Sequence, residues 1–178
     1  DKAVDILLHK IDRNKKIRII GDYDIDGVCS TYILYKGLGN CGAKVDTAIP
    51  HRMKDGYGLN EHLIQEAYEA GADTVLTCDN GIAAFSQIEY ANSLGMTVVV
   101  TDHHEVPYEE KDTERQYLIP PAAAVVDPKQ QDCHYPFPEI CGAVVAYKLV
   151  LALTAKRQGV TWQQVMESDM GLELLEFA

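Results

Sequence analysis

Ile17-Arg18-Ile19-Ile20-Gly21-Asp22-Tyr23-Asp24-Ile25-Asp26-Gly27 decides the fold: a short apolar run gives way to three carboxylates at alternate positions. Ile17 to Ile20 predict a buried strand, Gly21 and Gly27 punctuate a turn, and Val28 to Leu38 carry helical spacing. The acids therefore sit on a strand-to-helix loop, which is where α/β sheets place their ligands. Three acids within five residues repel one another unless water or divalent cations lie among them. Either Asp26 caps the helix and the others face water, or the loop belongs to a cation site, and the loop alone leaves both readings open.

Outward from this loop, strands and helices alternate. Residues 1–16 form a lead-in, in which Ala3 to Lys10 place Val4, Leu7, Leu8 and Ile11 on one face of a helix that Asn14 ends and that packs on the sheet. After the loop and its helix, Ala43 to Ile49 predict a second strand. The stretch from His51 to Leu59 is too polar and glycine-rich for core, and Asn60 caps a helix to about Ala70. Asp73 to Cys78 make a third strand, Asp79-Asn80-Gly81 a turn, and Ala83 to Leu94 a helix. Thr97 to Thr101 form a nearly apolar strand of the kind covered on both faces. Residues 107–121 are expected as an exposed loop, and Ala122 to Val126 as a strand ended by Asp127-Pro128. Residues 129–139 form another loop, Cys141 to Thr154 a helix, and Thr161 caps a last helical region reaching the chain end. The fold class is α/β: a doubly wound, mainly parallel sheet with helices on both faces.

With 178 residues, 47% of them hydrophobic, the chain can bury the core of one domain. No apolar run has the length needed to cross a bilayer, and Asp1-Lys2-Ala3-Val4-Asp5 lacks signal-peptide character. The expectation is a soluble, cytoplasmic protein without a membrane partner. Its five cysteines are odd in number, form no CxxC pair and fall mostly in apolar surroundings, as reduced buried thiols do. A formal charge of −11 disfavours a grip on nucleic acid through phosphates. The one dense basic patch, Lys10, Arg13, Lys15, Lys16 and Arg18, reads as a solvated helix end.

Three predicted strands end in acids: Asp24 and Asp26 after the first, Asp79 after the third, Asp102-His103-His104 after the fourth. In a parallel sheet those ends share one edge, so the groups can converge at the switch point of the topology. Mixed oxygen and nitrogen ligands suit Mn²⁺ or a similar ion, and Asp79, between the other two groups, is placed to bridge two ions, a device of phosphoryl chemistry. Taken singly, Asp79-Asn80-Gly81 is a turn signature, and His103-His104 could be a cap and a core histidine.

At these residues the chain resembles the DHH phosphoesterase superfamily, and within it the RecJ-type single-strand-specific 5′→3′ DNA exonucleases. Gly21 to Val28 match the first motif, Asp79-Asn80-Gly81 the second and Asp102-His103-His104 the third. Pro50-His51-Arg52 with Gly56-Tyr57-Gly58-Leu59 match a RecJ-type segment that smaller DHH proteins lack. Asp127-Pro128 with Cys141-Gly142-Ala143 resembles a later one, where RecJ proteins often carry Asn-Pro. Small DHH phosphatases and oligonucleotide hydrolases begin the first motif with a histidine four residues before Asp24; here that place is Ile20.

The resemblance implies that Asp24 and Asp79 bind one Mn²⁺ or Mg²⁺ ion, that Asp26, Asp79 and His103 bind a second, and that Asp22 stands in the motif with a less direct role. His104 would meet the scissile phosphate. It implies hydrolysis by in-line attack on phosphorus without a covalent intermediate, releasing mononucleotides in DNA repair and recombination, with other repair or replication proteins as partners. Arg52 is a candidate phosphate contact or an exposed loop charge, and Tyr57 a base-stacking or simply packed ring. The family's fourth metal-binding aspartate follows a helix resembling Leu172 to Ala178, and no residue there matches it. The expectation is therefore one incomplete DHH domain over residues 1–178, truncated at its C-terminal end. The family's second catalytic-side domain and nucleic-acid-binding barrel are absent, and the fragment cleaves weakly or not at all. The alternatives are an oligonucleotide or cyclic-dinucleotide phosphodiesterase of the same superfamily, a non-catalytic RecJ-like scaffold, and a doubly wound binding domain whose acids are ordinary caps and turns.

Overall fold

The computed structural model describes residues 1–51, 58–111 and 114–178. The first strand, β1 (Lys16–Ile20), follows helix α1 (Lys2–Asp12) and leads into α2 (Ile25–Asn40). Then come β2 (Lys44–Ala48), α3 (Glu61–Glu69), β3 (Thr74–Cys78), α4 (Phe85–Ser93) and β4 (Thr97–Thr101). A hairpin of β5 (Tyr108–Lys111) and β6 (Glu114–Tyr117) separates β4 from β7 (Ala124–Val126), and α5 (Gly142–Gln158), α6 (Trp162–Met166) and α7 (Asp169–Leu175) complete the chain.

Five strands form one sheet in the order β2-β1-β3-β4-β7, parallel at every pairing. The chain first moves from β1 to β2, then returns past β1 to β3, so the topology reverses between β1 and β3. That reversal opens a crevice at their carboxyl ends. Alternate residues of the central strands feed two cores. Ile17, Ile19, Leu76, Cys78 and Val99 pack with α1, α2, α5, Val165 of α6 and Leu174 of α7, whereas Ile20, Val75, Val98 and Val100 pack with α3 and α4. Because both faces are covered, β3 is buried at all five positions and alternation is invisible in its sequence.

Several expectations need correction. Residues 107–121 contain the antiparallel hairpin β5–β6; its strands are exposed on both faces, so no apolar alternation betrayed them, and pairs such as Glu110↔Arg115 and Lys111↔Glu114 set opposite charges across the ladder. The last helical region is two helices, because the Ser168 side chain accepts from Gly171 N and starts α7 afresh. Leu59 is 5% exposed and belongs to the core against α3 and α4, not to a polar loop. Cys133 is exposed, and Cys29 and Cys141 are partly so. The basic patch is less solvated than expected: Arg18 is buried and pairs with Asp46, as does Lys16, while Lys10 and Lys15 pair with Asp73. These pairs lie in the first half and middle of β1 and β2 and before β3, not at the carboxyl ends where the acids gather. Among the described residues, no helix is long and apolar enough to cross a membrane.

Candidate metal centre

The loop after β1 turns through the backbone of Asp22. A Cβ on Gly27 would lie 2.6–2.7 Å from Asp22 O, C and Cα, so only glycine lets α2 begin this close to the loop. Asp24, not Asp26, is the N-cap of α2, its carboxylate accepting from Gly27 N at 2.9 Å. The helix thus starts at Ile25, three residues before the apolar periodicity suggests. Asp26, in the first turn, points across the molecule instead: its Oδ2 accepts from Gly142 N and its Oδ1 from Ala143 N, each at 2.7 Å. Asp22 is fully buried. Its Oδ1 accepts from Gly58 N at 3.4 Å, and its Oδ2 has no hydrogen-bond partner among the described residues.

After β3 the chain bends through Asp79, whose φ of 60° lies in the left-handed region that aspartate tolerates better than most side chains. Asn80 fixes this bend, donating from Nδ2 to Cys78 O at 2.9 Å and to Ile20 O at 3.2 Å, while Thr77 Oγ1 donates to Asn80 O at 2.8 Å. The ends of β1 and β3 are thereby tied together, and Asp79 faces the acidic loop. Burial pushes the Asp79 carboxyl up to about 6 against the hydrogen bond from His103, and the charges of Asp26 and Asp24 push the same way.

After β4, Asp102 is 1% exposed and acts as an organiser. Its Oδ2 accepts from Ile82 N at 2.8 Å; its Oδ1 accepts from His103 N at 2.8 Å and His104 N at 3.2 Å and lies 2.7 Å from His104 Nδ1. The hydrogen bond with Asp102 holds the His104 imidazole above its ordinary value. Burial would raise the Asp102 carboxyl, yet the bonds from His104 and Ile82 N outweigh it and keep the group low. His103 turns the other way. Its Nε2 is 3.0 Å from Asp79 Oδ1 and 3.3 Å from Asp26 Oδ2, and the bond to Asp79 raises its basicity.

Two clusters result among the described residues, and Asp79 belongs to both. Asp22, Asp24 and Asp79 each offer an oxygen within 4.8 Å of the others, and Asp79, His103 and His104 do the same with mixed oxygen and nitrogen. A model of the DHH family, N-terminal domain, matches residues 16–174. This chain belongs to the DHH family. Among curated relatives, it is 42% identical over 152 residues to the single-stranded-DNA-specific exonuclease RecJ of Bacillus subtilis, covering 85% of this chain and 18% of that protein. It is 36% identical over 163 residues to the Escherichia coli exonuclease of the same name, covering 91% of this chain and 27% of the relative. A solved structure of exonuclease RecJ bound to manganese superposes with a TM-score of 0.73 at 30% identity, over 98% of this chain and 46% of that one. The chain therefore spans about a fifth to a quarter of the length of these curated relatives.

This DHH chain's donors fit a divalent cation on their own chemistry. Carboxylate oxygens joined by one or two imidazole nitrogens suit a Mn²⁺-like ion. A buried carboxylate oxygen of Asp22 without a partner among the described residues, and a second carboxyl, Asp79, pushed up by burial and like charge, are costly arrangements that a cation relieves. Of the residues expected at the site, Asp22, Asp24, Asp26, Asp79, His103 and His104 come together; Arg52 and Tyr57 lie outside the described residues. Sequence reasoning missed two contributors, the peptide N–H groups of Gly142 and Ala143, and the supporting role of Asp102. The only sequence signal for the first was the Cys141-Gly142-Ala143 motif, whose partner stands 116 residues away. Asp127, at the end of β7, is a further buried carboxylate on the same sheet edge.

Proposed function

We propose that this chain is the metal-binding, phosphodiester-hydrolysing part of a single-strand-specific DNA exonuclease of RecJ type. In this reading Asp24 and Asp79, with Asp22 beside them, hold one divalent ion, and Asp26, Asp79 and His103 hold the second. The observation that carries it is the position of Asp79: a buried carboxylate, held in a left-handed bend, that belongs to the all-carboxylate cluster and also faces His103 at 3.0 Å. Bound ions would supply charge neutralisation at the phosphate and a water acidic enough to attack it at neutral pH. The chain's own residues do the rest. Asp102 orients the His104 ring through Nδ1, and the raised basicity of that ring favours the cationic form that pairs with a phosphate oxygen. Asn80 and Thr77 hold the Asp79 bend rigid, so that this carboxylate is positioned before substrate arrives.

Similarity to the RecJ exonucleases over 85–91% of this chain supports single-stranded DNA as substrate. Ile20 also supports this branch: it is a fully buried core residue against α3 and α4, at the sequence position where the small DHH phosphatases begin their first motif with a histidine. Digestion from the 5′ end, release of mononucleotides, a cytoplasmic location and contacts with repair or replication proteins belong to the same proposal, as do Arg52 and Tyr57 as contacts to phosphate and base. The chain covers only part of its relatives' length, so we place full nuclease activity in a protein that carries the remaining domains. The test is Mn²⁺ calorimetry on this chain and on Asp79→Ala, followed by nuclease assays on a whole-length protein with the same pair. Loss of both binding and cleavage in Asp79→Ala is expected; Mn²⁺ binding that survives Asp79→Ala overturns the assignment.

A further inference from the structure

We propose that the N-terminus of α5 is a positioning element of the metal centre: the peptide N–H groups of Gly142 and Ala143 fix the Asp26 carboxylate, and the absent side chain of Gly142 makes room for Asp79. The inference rests on the two-cation reading given above. Asp26 lies in α2 and the donors open α5, 116 and 117 residues later, with both contacts at 2.7 Å. Each carboxylate oxygen has two lone pairs, and α5 occupies one on each. The carboxylate plane is thereby set in the frame of the helix, and the remaining lone pair on Oδ2 belongs to the oxygen that stands 3.3 Å from His103 Nε2. Hydrogen bonds to an ionised acceptor, at the positive end of a 17-residue helix, hold the group more firmly than neutral ones would.

The cap is unusual in origin. Cys141 stands at the N-cap of α5 and makes no side-chain cap bond, so Asp26 performs the task that a local Ser, Thr, Asn or Asp performs elsewhere. One carboxylate thus serves the helix and the cluster together. Helix α5 cannot slide to accommodate a misplaced ligand. It is buried over much of its length, packs against α2, and is pinned lower down by Tyr147 Oη donating to Gly171 O at 2.9 Å.

Gly142 adds an independent constraint. A Cβ there would lie 2.9 Å from both Asp79 Cβ and Asp79 Oδ1 and 3.1 Å from Cγ. Asp79 Oδ1 is the oxygen that faces His103 Nε2, so a methyl group at 142 presses on the shared carboxylate itself. Gly142 is helical rather than left-handed, so space and not backbone conformation calls for glycine here.

The test is Mn²⁺ affinity by calorimetry, without DNA, on the 178-residue chain and on Gly142→Ala, Ala143→Pro, Ala143→Ser and Asp79→Ala. Proline is tolerated in the first turn of a helix, and at position 143 it removes an N–H that has no intrahelical partner, so Ala143→Pro deletes one bond to Asp26, with circular dichroism reporting whether α5 persists. Supporting groups of this kind are worth about 10–100-fold in metal affinity. Gly142→Ala and Ala143→Pro are each expected to weaken Mn²⁺ binding by about that factor, with Ala143→Ser unchanged and circular dichroism unaltered in all. A merely structural role would lower the Tm of the metal-free variants while leaving the affinity of the folded chain in place, and that result overturns the inference. Wild-type binding that Asp79→Ala leaves intact overturns the site assignment instead, and a wild-type chain that takes up no Mn²⁺ overturns both.

Discussion

Replacing Asp127 with asparagine should stabilise this protein at neutral pH. Asp127 ends β7 and is 3% exposed; its Oδ1 accepts from Lys129 N at 2.8 Å, and its Oδ2 is buried without a hydrogen-bond partner among the described residues. Burial, with a further push from the Asp102 charge, outweighs the bond from Lys129 N and raises the carboxyl from 3.8 to about 6. A carboxyl whose folded value lies above its unfolded value binds its proton more tightly when folded. It therefore costs stability at pH values above about 6, and the cost fades as the pH falls toward 3.8. A shift of roughly two units corresponds to about 3 kcal/mol at pH 7.5. Asparagine keeps the acceptor for Lys129 N and carries no charge, but sets an unpaired N–H in the place of Oδ2, at a cost of about 1–2 kcal/mol. The net gain is about 1–2 kcal/mol, which for a chain of this size moves Tm by about 2–8 °C. Urea and thermal denaturation with chelator present, at pH 7.5 and pH 4.5, measure it. The gain should be present at pH 7.5 and gone at pH 4.5. Destabilisation at pH 7.5, or an equal gain at both values, refutes the reasoning.

Asp102→Asn should act in the opposite sense. It turns an amide toward Ile82 N or toward His103 N and His104 N, leaves at least one buried N–H unmatched and costs about 2–4 kcal/mol by urea denaturation. The same change should lower the His104 imidazole value in an NMR titration, since Asp102 is what raises it; an unchanged His104 titration would contradict the contact. Gly27→Ala drives a methyl group into the Asp22 backbone, which cannot swing aside as a flexible side chain would, and should destabilise the chain by about 2–4 kcal/mol; a neutral result would mean the loop is not packed as described. Mn²⁺ affinity should fall by tenfold or more from pH 8 to pH 6, because His103, held above 6.5 by Asp79, must shed its proton to bind, and a flat calorimetric profile would remove His103 from the ligand set.

Much of the architecture was legible because it rests on local signals. Ile17 to Ile20 and Thr97 to Thr101 are short apolar runs bounded by turn residues, and Asn60 and Thr161 cap helices where their side chains predict. The hairpin of Tyr108–Lys111 and Glu114–Tyr117 was not legible, since a ribbon exposed on both faces has no buried side to impose alternation. The break between α6 and α7 was missed because Ser168 caps equally well inside a polar stretch that reads as continuous helix.

For the site, the sequence determined which groups exist and that they fall at strand ends: Asp22, Asp24 and Asp26, then Asp79, then the histidine pair. Strand-end position is a local property, and in a parallel sheet it implies a common edge. Tertiary structure alone decided how those groups divide the work. Asp24 rather than Asp26 became the helix cap, because Asp26 is drawn to the N–H groups of Gly142 and Ala143. Asp102 became the support of His104, whereas the shared place of Asp79, common to both clusters, was already legible from its strand end lying between the other two. The parts taken by Asp24, Asp26 and Asp102 each depend on which peptide group or charge approaches within about 3 Å after folding, over separations of up to 117 residues, and a hydrogen bond falls off too steeply with distance and angle for one-dimensional spacing to encode it.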